Sequence, residues 1–191
     1  PKPRELQREG EETIPWPMRL ESRPDPGLPV QGYSLSISGE GAEIGYADEA
    51  GLRYARDTLA QLEEEYPDGV PALRIRDWPD FPVRGYMLDV SRDRVPARAT
   101  LGRIVQLMRR LRLNHLQLYT EHTFAFAGHE PVWKDASPLD AADIQWLDAL
   151  CVDNGIELAA NQNCFGHMGR WLQHPEYRHL AEAPYGWKMS L

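Results

Sequence analysis

The sequence contains few cysteines and no familiar metal-binding or redox motif. Its 191 residues include two cysteines, Cys151 and Cys164, which form neither a CxxC pair nor a disulfide framework. We therefore expect both to be buried thiols, which are common core residues. There is no HExxH segment of the kind that binds zinc from one helix.

Long apolar runs and basic blocks are also missing. No apolar run approaches the roughly 20 residues that a membrane-spanning helix needs, and the first residues, PKPRELQREGEE, do not resemble a signal peptide. The localisation therefore stays open. The formal net charge is −8, with 29 acidic and 21 basic residues, so nucleic acid is not an expected partner. The 42% hydrophobic content is typical of a globular protein.

The first part of the chain predicts a small α+β domain. Residues 1–29 are rich in proline and charge and indicate an arm or an edge strand. The alternation of Tyr33, Leu35 and Ile37 with serines predicts a half-buried strand, which turns at glycines into a second strand. A helix over residues 49–66 and a strand over 72–76 follow.

The second part alternates strands with helices. Prolines stiffen residues 77–82, and we place a boundary there, giving domains 1–78 and 79–191. Strands are predicted at residues 83–90, 115–119 and 156–160, and helices at 100–111 and 140–154. This βαβαβ pattern opens either a parallel barrel or an open doubly wound sheet.

The strand at residues 83–90 is short and apolar, so we expect it to be buried on both faces. It nevertheless carries Arg84 and Asp89, and Arg92 follows it. Charges at a buried strand must be paired or face a polar cavity. A structural ion network and a functional site both satisfy that requirement.

Polar side chains follow all three predicted strands of the second part, where parallel α/β folds place their sites. These residues are Asp89, Ser91 and Arg92, then Thr120, Glu121, His122, His129 and Glu130, then Asn161, Gln162, Asn163 and His167. The aromatic residues of the same loops, Trp133 among them, are suited to stacking on a sugar ring or to loop packing. A zinc site built from the histidines and Glu121 is the less favoured reading, so we expect no metal and no cofactor.

Two segments resemble the family 20 glycoside hydrolases, the β-N-acetylhexosaminidases. GLRYARDTLAQL at residues 51–62 is similar to the G-x-x-Y-x-x-x-T-L-x-Q-L helix of that family's non-catalytic N-terminal domain. IRDWPDFPVRGYMLDVSR at residues 75–92 is similar to the I-x-D-x-P-x-F-x-x-R-G-x-M-L-D-x-S-R segment that begins its barrel. The resemblance implies a zincin-like, metal-free N-terminal domain followed by the first units of a (β/α)8 barrel, which is incomplete in this chain.

The resemblance also assigns roles to individual residues. Arg84 matches the arginine that binds sugar hydroxyls, Glu121 falls near the acidic residue after the second strand, and His167 matches the histidine of a D-x-P-G-H segment. In this sequence that segment reads NCFGH, so Asn163 replaces the aspartate. Either Glu121 supplies the missing charge, or the chain is a divergent branch with another substrate preference.

The catalytic Asp-Glu pair that the resemblance implies is absent from the 191 residues. That pair orients the 2-acetamido group of the substrate, whose oxygen attacks the anomeric carbon, and protonates the leaving oxygen. The adjacent Asp48 and Glu49 instead fit the start of a helix. We therefore expect a fragment that is inactive alone, acts on amino-sugar glycosides within a longer protein, and tends to self-associate through its open sheet edge.

Three other functions fit the same residues. A non-catalytic relative would bind carbohydrate through Arg84 and the loop tryptophans without hydrolysing it. A relative with the same layout would act on another glycoside, although the R-G-x-M-L-D segment argues against that. In a purely structural protein, the polar rim would serve folding or assembly.

Overall fold

The structure, a computed structural model, describes residues 2–183 and divides into two compact units. The N-terminal unit comprises the chain up to Val83 together with Arg110–Arg112, and the second unit comprises the remainder. The division of the main chain after Val83 falls slightly later than the boundary placed at residue 78 from the sequence. No helix among the described residues is both long enough and apolar enough to cross a bilayer.

The N-terminal unit is a five-stranded sheet with one helix, in the strand order β1-β5-β3-β4-β2. Its elements are β1 (Glu5–Ile14), β2 (Leu20–Pro24), β3 (Tyr33–Ser38), β4 (Gly41–Tyr46), α1 (Glu49–Glu65) and β5 (Val70–Asp77). Strand β2 is parallel to β4, while the other neighbours are antiparallel. Strands β1 and β2 are the two edges, which confirms the edge-strand prediction for residues 1–29.

Alternation of side chains in β3 builds the core of this unit. Tyr33, Leu35 and Ile37 are buried, whereas the serines between them are partly exposed. Helix α1 contributes Leu52 and Ala55 to the same core. The predicted helix and the two strands around the turn at Gly39–Gly41 are thus confirmed, because the apolar period selects one face of each element.

Asp48 holds the start of α1 in place. Its carboxylate accepts hydrogen bonds from the Gly51 N–H at 2.9 Å and from the Gln31 N–H at 2.7 Å. This is the geometry of a helix N-cap, in which a side-chain oxygen satisfies an otherwise unpaired backbone donor. Asp48 and Glu49 are therefore a helix-start pair, as the sequence predicts.

Gly51 is needed where α1 approaches the loop before β3. A Cβ atom built there would lie 2.2 Å from the Gly32 carbonyl oxygen, which is backbone and cannot move aside cheaply. We expect Gly51→Ala to lower the free energy of unfolding by about 1–3 kcal/mol. Urea denaturation followed by tryptophan fluorescence measures this change.

Gly102 provides the matched control, because it also lies inside a helix but has nothing within 4 Å of the added Cβ. Gly102→Ala should raise stability by up to about 1 kcal/mol through helix propensity alone. Equal effects of the two substitutions would show that the contact with Gly32 is unimportant.

Arg112 is buried in the N-terminal unit and has several polar partners there. Its guanidinium forms an ion pair with Asp77 and donates hydrogen bonds to Thr58 Oγ1 at 2.5 Å and to the Tyr33 hydroxyl at 3.2 Å. The Tyr33 and Thr58 oxygens are themselves 2.7 Å apart. Burial raises the pKa of Tyr33, although the Arg112 charge opposes that rise. The unit therefore encloses a charged group with several hydrogen bonds beside its apolar core.

The second unit is a parallel three-stranded sheet in the order β6-β7-β8, with helices between the strands. Its elements are β6 (Gly85–Asp89), α2 (Arg98–Arg110), β7 (His115–Thr120), α3 (Glu130–Trp133), α4 (Ala141–Asp153), β8 (Glu157–Gln162) and α5 (Gly169–Leu172), with a 3₁₀ helix at Arg178–Leu180. The βαβαβ prediction is confirmed, and the short helices α3 and α5 were not predicted. Self-association through the outer edges of this sheet stays a prediction.

One face of this sheet is apolar and packs on helices α2 and α4. Leu116 and Leu118 of β7 lie there with Val105 of α2 and Leu147 of α4, all of them buried. Helix α4 begins at the predicted N-cap, Asp140, which forms a reciprocal capping box with Asp143.

Two burial predictions in this unit are wrong. Strand β6 is not buried on both faces: Met87 is 56% exposed, because it lies on the face that α2 and α4 leave uncovered. Tyr86, which points to the other face, is 44% exposed as well. Cys151, a residue of α4, is buried as expected, but Cys164 is exposed in the loop after β8. Neither cysteine is in a disulfide.

Candidate functional site

The carboxyl ends of the three parallel strands lie side by side. Asp89 at the end of β6 is the register partner of Tyr119 in β7, and Tyr119 is the partner of Asn161 in β8. In parallel α/β folds this end of the sheet is where substrates bind. The polar residues that follow the strands in sequence therefore meet at one rim.

Glu121 is held at this rim by its backbone. Its N–H donates to the Ser91 Oγ at 2.7 Å, and its carbonyl accepts from the Trp171 indole N–H at 2.8 Å and the Gln162 amide at 3.0 Å. These partners come from three separate segments of the chain. A side chain on a backbone that is fixed by three partners starts from a defined position, so less conformational freedom remains to be lost when it acts.

The Glu121 side chain links a tyrosine and a histidine. Its Oε1 accepts a hydrogen bond from the Tyr119 hydroxyl at 3.0 Å and lies 3.4 Å from His167 Nδ1. The Glu121 side chain is only 12% exposed, whereas His167 is 60% exposed. Burial, together with the hydrogen bond to Glu121, raises the pKa of Tyr119, which therefore remains a neutral donor. A shielded carboxylate thus lies behind a histidine that solvent or a ligand can reach.

Asp89 and Arg92 complete the group. Arg92 forms an ion pair with Asp89, and its guanidinium lies 5.1 Å from the centre of the Tyr119 ring. Partial burial opposes ionisation of Asp89, but hydrogen bonds from the Ser91 and Arg92 N–H groups and the Arg92 charge hold its pKa below the usual value. We call Asp89, Arg92, Tyr119, Glu121 and His167 the rim cluster.

The structure does not bring Arg84 into the rim cluster. Arg84 precedes Gly85 at the amino end of β6, where its N–H donates to the Asn114 side chain at 2.8 Å. Gly85 pairs with His115 at that end, while Asp89 pairs with Tyr119 at the other. The arginine at the rim is Arg92, because it follows the strand instead of opening it.

Asn163 and Trp133 lie in the rim loops but contact other groups. The Asn163 side-chain amide donates to the Thr120 carbonyl at 3.4 Å, and its backbone N–H donates to the same oxygen at 2.9 Å. The Trp133 indole N–H, in α3, donates to the Phe126 carbonyl at 2.8 Å. The negative charge near His167 therefore comes from Glu121, and the role of Trp133 as a sugar platform stays a prediction.

The histidines considered as metal ligands are separated in the structure. His129 Nδ1 lies 2.7 Å from the Tyr177 hydroxyl, and its ring stacks near Trp171, whereas His167 faces Glu121. Within residues 2–183, no three His, Cys, Asp or Glu side chains converge on a point where a metal ion would bind.

Tyr119 is the functional candidate that the sequence analysis missed, because it lies inside a strand. The sequence could have indicated it, because side chains two residues apart in a strand point to the same side. Tyr119 and Glu121 are two residues apart at the end of β7, so they are neighbours there. Its aromatic ring was counted as strand-forming only.

Comparisons with known proteins identify relatives of this chain. Residues 2–78 match the family model described as glycosyl hydrolase family 20, domain 2. A beta-hexosaminidase from Akkermansia muciniphila is 32% identical in a match that covers 56% of this chain and 24% of that protein. The chain thus spans about a quarter of the length of this curated relative.

Solved structures agree with the sequence matches. A crystal structure of a beta-N-acetylhexosaminidase superimposes with a TM-score of 0.79 and 25% identity, covering 93% of this chain and 42% of that one. A family 20 exo-beta-N-acetylglucosaminidase from Vibrio harveyi, in complex with N-acetylglucosamine, has a TM-score of 0.78 at 16% identity, covering 94% and 38%. These findings confirm the resemblance to the family 20 glycoside hydrolases.

Proposed function

We propose that this chain is part of a family 20 glycoside hydrolase that removes terminal β-linked N-acetylhexosamine from its substrates. The observation that carries the proposal is the rim cluster, in which Glu121 joins Tyr119 to His167 at the carboxyl end of a parallel sheet. The family match of residues 2–78 and the N-acetylglucosamine bound by the Vibrio harveyi relative support an amino-sugar ligand.

The finer architecture is part of the same proposal. The N-terminal unit corresponds to the zincin-like, non-catalytic domain of the family, and β6, β7 and β8 correspond to the first three strands of a (β/α)8 barrel. The parallel pairing of these strands and the helices between them support this assignment.

Within this proposal, Arg84 is the residue that matches the sugar-binding arginine of the family, and Arg92 offers a second guanidinium at the rim. A guanidinium presents a planar set of N–H donors that suits neighbouring hydroxyl groups, and Arg92 carries it at the rim. Asp89 holds that guanidinium through the ion pair. Asn163 and Trp133 border the sugar from the loops after β8 and β7 as further substrate-binding residues.

Glu121 and His167 form the supporting network of the reaction. The exposed His167 ring faces the substrate side, and the shielded Glu121 carboxylate stabilises positive charge on that ring. The reaction itself requires an acid that protonates the leaving oxygen and a group that orients the 2-acetamido oxygen for attack on the anomeric carbon. The adjacent Asp48 and Glu49 serve as a helix start instead. The acid pair is therefore expected on a part of the protein outside this chain.

Hydrolysis by the full-length protein tests the proposed function. We expect turnover of a chromogenic N-acetyl-β-glucosaminide, and at least about a thousandfold lower kcat/KM for the matching β-glucoside, which lacks the intramolecular nucleophile. The 191-residue chain alone should show no turnover. Comparable rates on both substrates would contradict substrate assistance, and sugar binding without turnover by the full-length protein would favour the carbohydrate-binding alternative.

A further inference from the structure

A polar cavity of about 600 Å³ lies within the second unit, between the loops that follow β6 and β7 and helix α5. Its polar lining comprises Ser91, Asp93, Arg94, His122, Thr123, Asp135, Ser137, Arg170, Gln173 and His174. Of the rim cluster, neither Glu121 nor His167 nor Arg92 lines it. The proposed hydrolysis therefore gives this cavity no role.

His122 lines the cavity and has a ring nitrogen without a hydrogen-bond partner among the described residues. It is only 7% exposed, and its Nδ1 is fully buried without a hydrogen-bond partner. No described residue forms a hydrogen bond with the other ring nitrogen, Nε2, which is not among the fully buried unpaired atoms. Buried polar groups are nearly always paired, so the buried Nδ1, which has no partner among the described residues, is an exception that requires an explanation.

The environment decides which nitrogen of His122 carries the proton. Burial, and then the positive charge of Arg170, lower the pKa of His122, although the negative charge of Glu121 opposes that change, so the ring is neutral near pH 7. A buried N–H without an acceptor is less common in proteins than an unpaired acceptor, which favours Nδ1 as the bare nitrogen. The proton then lies on Nε2, which is not fully buried, so His122 can donate a hydrogen bond into the cavity.

Arg170 lines the same cavity as His122 and adds a second donor. Among the described residues, neither Arg170 nor Arg94 forms an ion pair. Asp93 and Asp135 also line the cavity, but they do not contribute to the field at His122. The lining therefore offers the His122 ring and two guanidinium groups, Arg94 and Arg170, as hydrogen-bond donors.

The side chains that line the cavity indicate which class of ligand it can bind. A metal ion does not fit, because no three metal-ligating side chains converge there or elsewhere in residues 2–183. The lining contains no Phe, Tyr or Trp, so the stacking that usually holds a sugar ring is missing. Guanidinium and imidazole N–H groups instead match the oxygens of an anion.

We propose that this cavity binds a single oxyanionic group, a sulfate or a carboxylate, through the Nε2–H of His122 and the guanidinium of Arg170. Such a group is carried by an acidic sugar or by a free anion. Binding requires only the second unit, so it stands whether or not the full-length protein is a hexosaminidase.

Titration of the histidine-labelled full-length protein with sodium sulfate and with sodium acetate tests this proposal, with sodium chloride holding the ionic strength constant. Heteronuclear spectra report the ring nitrogens, and the His122 signals are assigned by their loss in His122→Gln. We expect a saturable shift of the His122 Nε2 signal with at least one of the two anions. Saturation by sulfate alone, by acetate alone or by both supports the proposal and identifies the source chemistry.

Two arginine variants make the test specific. Arg170→Gln should weaken the anion affinity by about tenfold or more, because a charged hydrogen bond is lost. Arg178→Gln, in the exposed 3₁₀ helix and outside the lining, should leave the affinity unchanged. A shift that does not saturate with either anion, or an equal loss of affinity in both variants, overturns the proposal.

Discussion

Replacing Glu121 with glutamine in the full-length protein is expected to lower kcat/KM for an aryl N-acetyl-β-glucosaminide by about 100- to 1,000-fold. Glutamine keeps the shape of the side chain and can still accept the hydrogen bond from the Tyr119 hydroxyl. It removes the negative charge that lies 3.4 Å from His167 Nδ1. Most of the loss should appear in kcat, because the charge stabilises the transition state more than the bound substrate.

Glu130→Gln is the matched control for this substitution. Glu130 also follows β7, as the first residue of α3, and is exposed. Among the described residues, its carboxylate accepts a hydrogen bond only from the Gly128 N–H at 3.2 Å. Its substitution should change kcat/KM by no more than about twofold, as for a surface carboxylate without charged partners. Equal losses in both variants would mean that loop charge in general, and not the Glu121–His167 pair, matters.

Replacing Arg112 with methionine is expected to lower the free energy of unfolding of the N-terminal unit by about 3–5 kcal/mol. Methionine has a similar length but leaves the Asp77 carboxylate, whose side chain is only 10% exposed, without its counter-charge. It also removes the donor shared by Thr58 and the Tyr33 hydroxyl. Urea unfolding followed by the fluorescence of Trp16 and Trp78 measures the loss.

Arg110→Met supplies the control, because Arg110 is paired with Glu64 at 3.5 Å on the surface, where the two side chains are 70% and 69% exposed. Its effect should stay below about 1 kcal/mol. The double variant Arg112→Met with Asp77→Asn should lose less than the sum of the single losses, since no unpaired charge then remains. Additive losses would show that the Arg112–Asp77 pair contributes little.

The fold was largely predictable because each element has a clear apolar period. Alternation at Tyr33, Leu35 and Ile37 identified β3, and Asp140 identified the start of α4. Helices α3 and α5 were missed because each has only four residues, too few to display a period. The exposure of Met87 was missed because a strand sequence does not reveal whether both faces of its sheet are covered.

The candidate site was predicted in part. Glu121 and His167 come together because both follow strands of one parallel sheet. Arg84 was grouped with them because it matches the sugar-binding arginine of the family, although the strand predicted at residues 83–90 already placed it at the amino end. Its sugar-binding role stays a prediction. Strand β6 separates Arg84 from Arg92, so the two arginines belong to opposite ends of the sheet.

The outer strands of the N-terminal sheet also affect how the protein behaves at high concentration. Strand β1, ELQREGEETI, has five charged residues among ten, and its register with β5 is broken between Arg8 and Thr13. Strand β2 on the other side is short and exposed throughout. A strand from a second molecule would meet charge and irregular backbone at both sides, so these edges disfavour edge-to-edge aggregation and amyloid-like growth of the sheet.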